Sequence, residues 1–594
     1  MTESIGAFFQ QFRKERHLTL DQAANGLNPA SISYFERGKS DISLSNATKL
    51  MFNIGMGPYD LNDFLASSGQ CFPVILSDVI ADDRAAIQAK VAAYLADSPF
   101  APNLQAQYQA ALPWLNCTLT DDKPLPPAYE QHLAQLLAYP AFWHAPEQFL
   151  VVATLPFASY ELLSSVWAQL AALTGKQLGF QNNNLWLVGS IAISRNDAAL
   201  RQQVASDLQR IIEIPALVAH FNNAMPQLQA IIDLAKGESI DPITDALARM
   251  QAAPLASWLT RLAARCQRDQ PCHYNTALKP TDKAALAVPA DHALLVGPTL
   301  ALRRKQLGLT LADVADGWST PAQSRFEQGK TQLAFLNTLT LLRHLGLPLS
   351  SLEMSSDSVS LFRQYHIKLE YMGRQADTAG YTRQDFFTVL AEFAALAADF
   401  PAGLRIMLNR GLRTVLQWQD LALFPADDPM FADLSDEEQT AIITYLQSLD
   451  HLGSLEAEGV SFAVNSITQP FLIPFFQAVT AALPRHTWAE QAIYDMAASF
   501  VFGAVFFSVP AIIPLARNFF TPDKCQPYSW WSYGDIATIR TLGDSYLTDS
   551  PAVRAQAAQH LADVRLLNPY DGAAAHQRWW FETYAGKGRQ DIQA

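Results

Sequence analysis

The chain is poor in charge, in cysteine and in the short motifs that carry catalysis. Among 594 residues only 16% are charged, against 49% hydrophobic, so the sequence describes buried cores and not a disordered chain. There are 5 cysteines (Cys71, Cys117, Cys266, Cys272 and Cys525), with no CxxC and no His/Cys metal spacing. That usage fits a reduced, cytoplasmic protein with no metal site and no disulfide framework. Cys266 and Cys272, six apart, meet as a redox pair only if a helix breaks between them. GxxxxGK[ST], GxGxxG, HExxH and GxSxG are all missing, and Gly175-Lys176 lacks the upstream glycine of a phosphate loop. No enzyme class and no cofactor is implied. Alternation of the kind that builds strands is also absent, which leaves an all-α fold.

One stretch lacks charge altogether. Met496–Ala516 has the length of a membrane span. Pro510 and Pro514 break its second half, and Asp495 and Arg517 form no orienting cluster. It reads as a buried helix inside a helical pattern, so no membrane span is expected. No signal peptide precedes the first helical stripe.

What is present is a repeat. Ile5–Gly57 superimposes on Val296–Pro348 without a gap, at a constant shift of 291, with 16 of 53 positions identical. Two halves, each opening with the same small module, follow from that spacing. In the first copy Ile5, Phe8, Phe9 and Phe12 give Ile5–Arg16 a helical stripe. Thr19 is positioned to cap a helix Leu20–Asn25 that Gly26 closes. Asn28-Pro29 opens the next helix, Pro29–Glu36, where a proline's missing N–H costs nothing. Ile32 and Phe35 face inward on it, leaving Ala30, Ser33 and Tyr34 outside. Gly38 ends it, and Leu44–Ile54 supplies a further helix. Two short helices around a tight turn, the second with small polar residues outward, describe a helix-turn-helix able to enter a major groove.

The strings Ser31-Ile-Ser-Tyr-Phe-Glu-Arg-Gly-Lys39 and Gln323-Ser-Arg-Phe-Glu-Gln-Gly-Lys330 resemble the recognition-helix signature of the Cro/CI (XRE) fold. With Arg-Lys upstream, both are similar to the Rgg/GadR/MutR regulators of Gram-positive bacteria over roughly 60 residues of each half. The resemblance implies a DNA-binding module followed by a helical-repeat domain, similar to TPR repeats, that binds short peptide pheromones. That family carries one unit per chain and works as a homodimer, whereas this chain carries two in tandem.

Within the module the resemblance makes Arg13–Glu36 and Arg304–Glu327 internal ion pairs, tying the first helix to the recognition helix. Lys14, Arg37, Lys39, Lys305 and Lys330 flank that helix as phosphate contacts. Ser31 and Asn28 donate to phosphate from the helix start, or Asn28 serves as a plain cap. The base-reading positions are Pro29, Ala30 and Tyr34 in the first copy and Thr320, Pro321 and Arg325 in the second. Arg325 suits a bidentate guanine contact or a phosphate. Outward positions differ between copies while inward ones persist, so the copies are expected to read different half-sites. Net charge is −14, yet the two modules together carry +5, leaving −19 on the rest. Such a distribution orients a molecule on a polyanion.

Four domains result: helix-turn-helix modules at 1–66 and 293–354, and TPR-like helical-repeat domains at 70–290 and 355–594. Tyr129–Ala138, Glu147–Leu173, Leu185–Ile212, Glu437–Leu449, Ile473–Leu483 and Val553–Leu567 carry helical spacing. Glu147 and Glu458 head loosely matching segments, each set before a long apolar helix. Leu278–Ala293 is the expected linker. Asn182, Asn183, Asn184 and Asn465 are candidates for holding a peptide backbone, and the aromatics of Tyr528–Tyr533 and Arg578–Phe581 for packing between the last helices or for lining a pocket for an apolar peptide. The expected protein is a monomeric pseudo-dimer that binds double-stranded DNA and a short hydrophobic signalling peptide. The competing expectation is a helical protein-interaction scaffold whose modules no longer bind DNA.

Overall fold

The computed structural model describes residues 5–67, 71–97, 102–117, 123–138, 143–174, 182–195, 197–213, 224–268, 272–278, 296–352, 361–418, 423–425, 428–450, 452–482 and 551–568, with short runs and isolated positions between them. The linker from 279 to 293, most of the uncharged run, Cys525 and both C-terminal aromatic clusters lie outside the described residues. Within them the chain is all-α; the only extended pairings are two isolated bridges, Ser43 with Ala334 and Ser159 with His273.

The first module comprises α1 (Ile5–Glu15), α2 (Leu20–Ala24), α3 (Pro29–Glu36) and α4 (Leu44–Asn53), followed by α5 (Pro58–Ser67). The first helical domain runs through α6 (Leu76–Ala81), α7 (Arg84–Ala96), α8 (Pro102–Ala111), α9 (Pro127–Leu136), α10 (Ala145–Thr154), α11 (Tyr160–Thr174), α12 (Asn182–Ser194), α13 (Ala198–Ile212), α14 (Met225–Lys236), α15 (Asp241–Arg249) and α16 (Ala253–Cys266). The second module has α17 (Val296–Gln306), α18 (Leu311–Val314), α19 (Thr320–Glu327) and α20 (Phe335–His344). The second helical domain holds α21 (Leu361–Arg374), α22 (Ala376–Ala379), α23 (Arg383–Leu396), α24 (Ala402–Trp418), α25 (Asp436–Gln447), α26 (Ser454–Ala463), α27 (Gln469–Ala482) and α28 (Pro551–Leu567). No helix among the described residues is long and apolar enough to cross a membrane.

Several boundaries have evident causes. Pro156 interrupts the expected helix Glu147–Leu173, which splits into α10 and α11 around a 3-10 turn at Leu155–Phe157. The segment Leu185–Ile212 likewise divides, because the Asp197 side chain accepts from Leu200 N at 2.8 Å and starts a new helix. Cys266 ends α16, so a helix does stop between it and Cys272; both are free, and burial pushes the Cys266 thiol up to about 11.

The looser echo between the helical domains is real but shifted by two residues from the expected register. Glu456, not Glu458, matches Glu147. Each occupies the third position of its helix, where Glu147 Oε2 accepts from His144 N and Glu456 Oε2 from Gly453 N, both at 3.0 Å. The two glutamates therefore start their helices and do not precede them. Sequence similarity is too thin there for the offset to be read without the cap geometry.

The halves cross. The first module rests on the second helical domain: Phe52 of α4 meets Phe393 edge-on and Phe400 at a tilt, at ring distances of 5.9 and 4.6 Å, and α21 packs against α4. The second module rests on the first domain, where Gln306 Nε2 donates to Leu136 O at 3.0 Å and Gly346 lies against Phe100 and Pro146. At the far end α28 returns to the first domain, with Arg249 forking Asp563 at 2.7 and 2.8 Å.

Candidate nucleic-acid interface

The four helices of the second module reproduce those of the first at the same shift of 291, to within a residue at their ends. Thr19 and Thr310 each form a capping box at the start of the second helix. The first helix of each module crosses the end of the third so closely that a Cβ on Gly6 would strike the Phe35 carbonyl oxygen. One on Gly297 would strike that of Phe326. Those two glycines are identical for steric reasons. Gly38 and Gly329, at φ 65° and 70°, let the chain turn away after α3 and α19.

Arg13 grips Glu36 through Nε (2.7 Å) and Nη2 (2.8 Å), and its Nη1 donates to Leu18 O at 2.7 Å. Arg304 does the same to Glu327 at 2.7 Å twice, with Nη1 on Leu309 O at 2.6 Å. Each arginine thus ties the first helix, the turn after it and the third helix together, and spends all three nitrogens inside the module. Each glutamate takes one more donor, from a different place in each copy. Gln10 Nε2 reaches Glu36 at 3.4 Å, whereas Gln323 Nε2 reaches Glu327 at 3.0 Å.

Gln323 also corrects an expectation. It is wholly buried at the position of Ile32, so an inward residue does change between copies. A polar side chain is tolerated because Trp318 Nε1 donates to its Oε1 at 2.8 Å while Glu327 accepts from its amide. Trp318 and Gln323 were not singled out from sequence; the joint change of Leu27 to Trp318 and Ile32 to Gln323 was the available signal.

All the expected DNA-facing residues are exposed. These are Lys14, Asn28, Pro29, Ala30, Ser31, Tyr34, Arg37 and Lys39 in the first copy, and Lys305, Thr320, Pro321, Arg325 and Lys330 in the second. Asn28 Oδ1 accepts from Ala30 N at 2.9 Å, so its oxygen caps α3 and only its NH₂ is left to face outward. Arg37 is partly occupied: Nε donates to Ser33 O at 2.9 Å and the guanidinium lies 5.2 Å over the Tyr34 ring. Its counterpart Gln328 donates to Ser324 Oγ at 3.1 Å.

The two modules meet through equivalent residues. Ser43 pairs antiparallel with Ala334, its own counterpart, and Phe335 N donates to Ile42 O at 2.7 Å. Leu336 N donates to Asp41 Oδ2 at 3.0 Å, and Phe335 meets Phe9 and Phe35 at ring distances of 5.9 and 6.3 Å. Just beyond, α5 packs on the 3-10 turn Leu349–Leu352, again its counterpart, with Leu349 N donating to Asn62 Oδ1 at 3.0 Å. Contact between equivalent patches is the pattern of a two-fold dimer interface, made here inside one chain.

Each module is fastened to the opposite helical domain by one buried ion pair. Arg303 Nη2 binds Glu147, with side-chain exposures of 0% and 1%. Arg16 binds Glu456 at 3.2 and 3.3 Å, with exposures of 6% and 0%. Both carboxylates also accept from a tyrosine, Tyr108 at 3.2 Å and Tyr445 at 2.8 Å. Asp60 joins the second junction, accepting from Ser454 Oγ at 2.8 Å and from Gly57 N at 2.7 Å; burial holds its carboxyl above the usual range.

In the helical domains Asn183 accepts from Trp186 Nε1 and Asn184 from Gln148 Nε2, both at 3.1 Å, while the side chains of Asn182 and Asn465 lie outside the described residues. Among the described residues no cluster of His, Cys, Asp and Glu is placed to hold a metal.

No protein-family model and no curated protein matches the chain. Two solved structures of the SHP pheromone receptor Rgg2 of Streptococcus dysgalactiae are similar in part. The first is 15% identical with a TM-score of 0.32, covering 49% of this chain and 98% of the receptor. The C45S form of that receptor is 14% identical with a TM-score of 0.33 over the same shares.

Proposed function

We propose that this chain is a sequence-specific, DNA-binding transcription regulator of Rgg-like type, working in the cytoplasm as a monomeric pseudo-dimer. In this reading α3 and α19 are recognition helices, and a short hydrophobic peptide bound in a helical-repeat domain controls them. The observation that carries it is the pairing of Ser43 with Ala334. Two copies of one module joined through equivalent residues support the reading, because dimeric readers join their modules in this way to use two half-sites about one DNA turn apart or a multiple of it. Lys14, Lys39, Lys305 and Lys330 supply phosphate contacts, and Tyr34 and Arg325 read different bases.

Selection of bound sites from random double-stranded DNA, followed by gel shift, tests the reading. The expected product is an imperfect inverted repeat, with guanine favoured in the half-site under the second module. A perfect palindrome would remove the asymmetric readout. No enriched site would leave a helical scaffold, a role to which the Tyr34–Arg37 stack on α3 lends some support.

A further inference from the structure

The counterpart helices α4 and α20 begin differently, and the difference reaches across the module boundary. Each starts at one of the paired residues Ser43 and Ala334, whose backbones are alike, at φ −67°, ψ 154° and φ −62°, ψ 153°. Ser43 caps its own helix, its Oγ accepting from Asn46 N at 3.2 Å. Ala334 has no side-chain oxygen or nitrogen, and no side-chain cap is made there. The first turn of α20 is served from the other module instead. Phe335 N donates to Ile42 O at 2.7 Å, and Leu336 N donates to Asp41 Oδ2 at 3.0 Å. Two of the unpaired N–H groups that open any helix are thereby satisfied in trans.

Asp41 uses both of its oxygens. While Oδ2 reaches the start of α20, Oδ1 accepts from Ile42 N at 2.7 Å and steadies the residue whose carbonyl takes Phe335 N. A carboxylate so placed also meets the positive end of the helix dipole. The device is one-sided: Gln332 stands at the position equivalent to Asp41 and is exposed, so the second module offers α4 no such carboxylate. Asp41 lies five residues past Glu36, the end of α3. The contacts of Phe335 with the Phe9 and Phe35 rings hold the modules together without direction, whereas a hydrogen bond sets an angle.

We propose that Asp41 is a positioning residue: by capping α20 from the first module it fixes how α3 and α19 lie relative to each other, and with that the half-site spacing the chain accepts. The inference rests on the DNA-binding reading above.

Spin labels on a ketone-bearing residue placed at Asp21 and Ala312, equivalent exposed positions on α2 and α18, report the distance between the modules in the full chain without DNA. With Asp41 present the distance distribution should be narrow, and Asp41→Ala should widen it roughly two-fold through the loss of a directional contact. Asp41→Asn should act like Ala, because an amide has one acceptor oxygen where the carboxylate uses two. Asp41→Ala should also speed hydrogen exchange at the start of α20 about five-fold, the effect of a lost helix cap. Adding Ala334→Ser gives α20 a cap of its own on a backbone that already matches Ser43. The double variant should recover slow exchange and keep the wide distribution. Selection from DNA libraries with varied spacers between half-sites should return one spacing for the natural chain and several for both variants. A narrow distribution in Asp41→Ala would overturn the proposal. So would a double variant whose distances narrow again, since Asp41 would then be a helix cap and nothing more. A single spacing kept by both variants would overturn it as well. If the natural chain enriches no site, the DNA-binding reading falls, and the distances, taken without DNA, still decide whether Asp41 places the modules.

Discussion

The two junctions between module and helical domain perform one task with residues in different places. In the first helix of the first module, positions 12 and 16 are Phe and Arg; the corresponding positions 303 and 307 are Arg and Leu. The cation has moved one helical turn, yet both arginines reach the glutamate at the third position of the matching helix. Positions one turn apart lie on the same face of a helix, so the swing of a guanidinium on its three-methylene stem absorbs the shift. The geometry of the junction is thus duplicated although the residue alignment is not.

The junctions should differ most in what their removal costs. Arg303 is fully buried and also donates to Leu345 O at 3.2 Å and to Gln306 at 2.9 Å. Arg303→Met should therefore destabilise by about 5 kcal/mol, and Arg16→Met by about 3, the two ends of the range for breaking a buried pair. Thermal and denaturant unfolding of both variants measure the gap; equal losses would erase the distinction. Acid should separate them next. His144 starts α10, and its counterpart at the second junction is Gly453. Burial holds His144 at about 4, below the unfolded value of roughly 6.5. A depressed pKa contributes stability above pH 6.5 that is lost as pH falls toward 4, at about 3 kcal/mol for this group. His560, also held at about 4 by burial, adds a similar loss. His144→Gly should flatten its share of the acid limb in a urea-unfolding series from pH 7 to 4, and an unchanged limb would place the titration elsewhere.

The outer faces give smaller contrasts. Arg325→Ala should cost about 1–3 kcal/mol and relax specificity only in the half-site under the second module, with Tyr34→Ala acting on the other. Scoring single-base variants of the selected site by anisotropy tests this, and loss spread over both halves would break the asymmetry. Smallest in sequence dependence is Lys39→Ala with Lys330→Ala. Two lost phosphate contacts should weaken binding to all DNA alike and lower the log–log salt slope by about 1.8. An unchanged slope moves both lysines off the DNA.

The helical class and the repeated module were legible because they rest on local signals. Capping threonines, Pro29 at a helix start and glycines after the helix ends reappear as written. The exposure of Tyr34, Arg325 and the flanking lysines followed from three- and four-residue spacing. What stayed hidden depends on contacts far apart in the chain. Nothing near Arg16 announces Glu456, and nothing near Ile32 announces that a glutamine would be stable at the same place beside a tryptophan. Likewise nothing near Arg303 announces Glu147, 156 residues earlier in the chain.

The crossing of the halves also sets a clock on assembly. Arg16 waits for a partner 440 residues further on, a delay of roughly 20–90 s at ~5–20 residues synthesised per second. For most of that interval Phe52 lacks Phe393 and Phe400, so the first-made module must persist with an unfinished apolar face. The second module meets no such interval, because Glu147 and Leu136 are already made when Arg303 and Gln306 emerge. Once closed, the interlock no longer needs the covalent link. A chain cut between 279 and 293 should stay together as two mutually embraced pieces through size-exclusion chromatography.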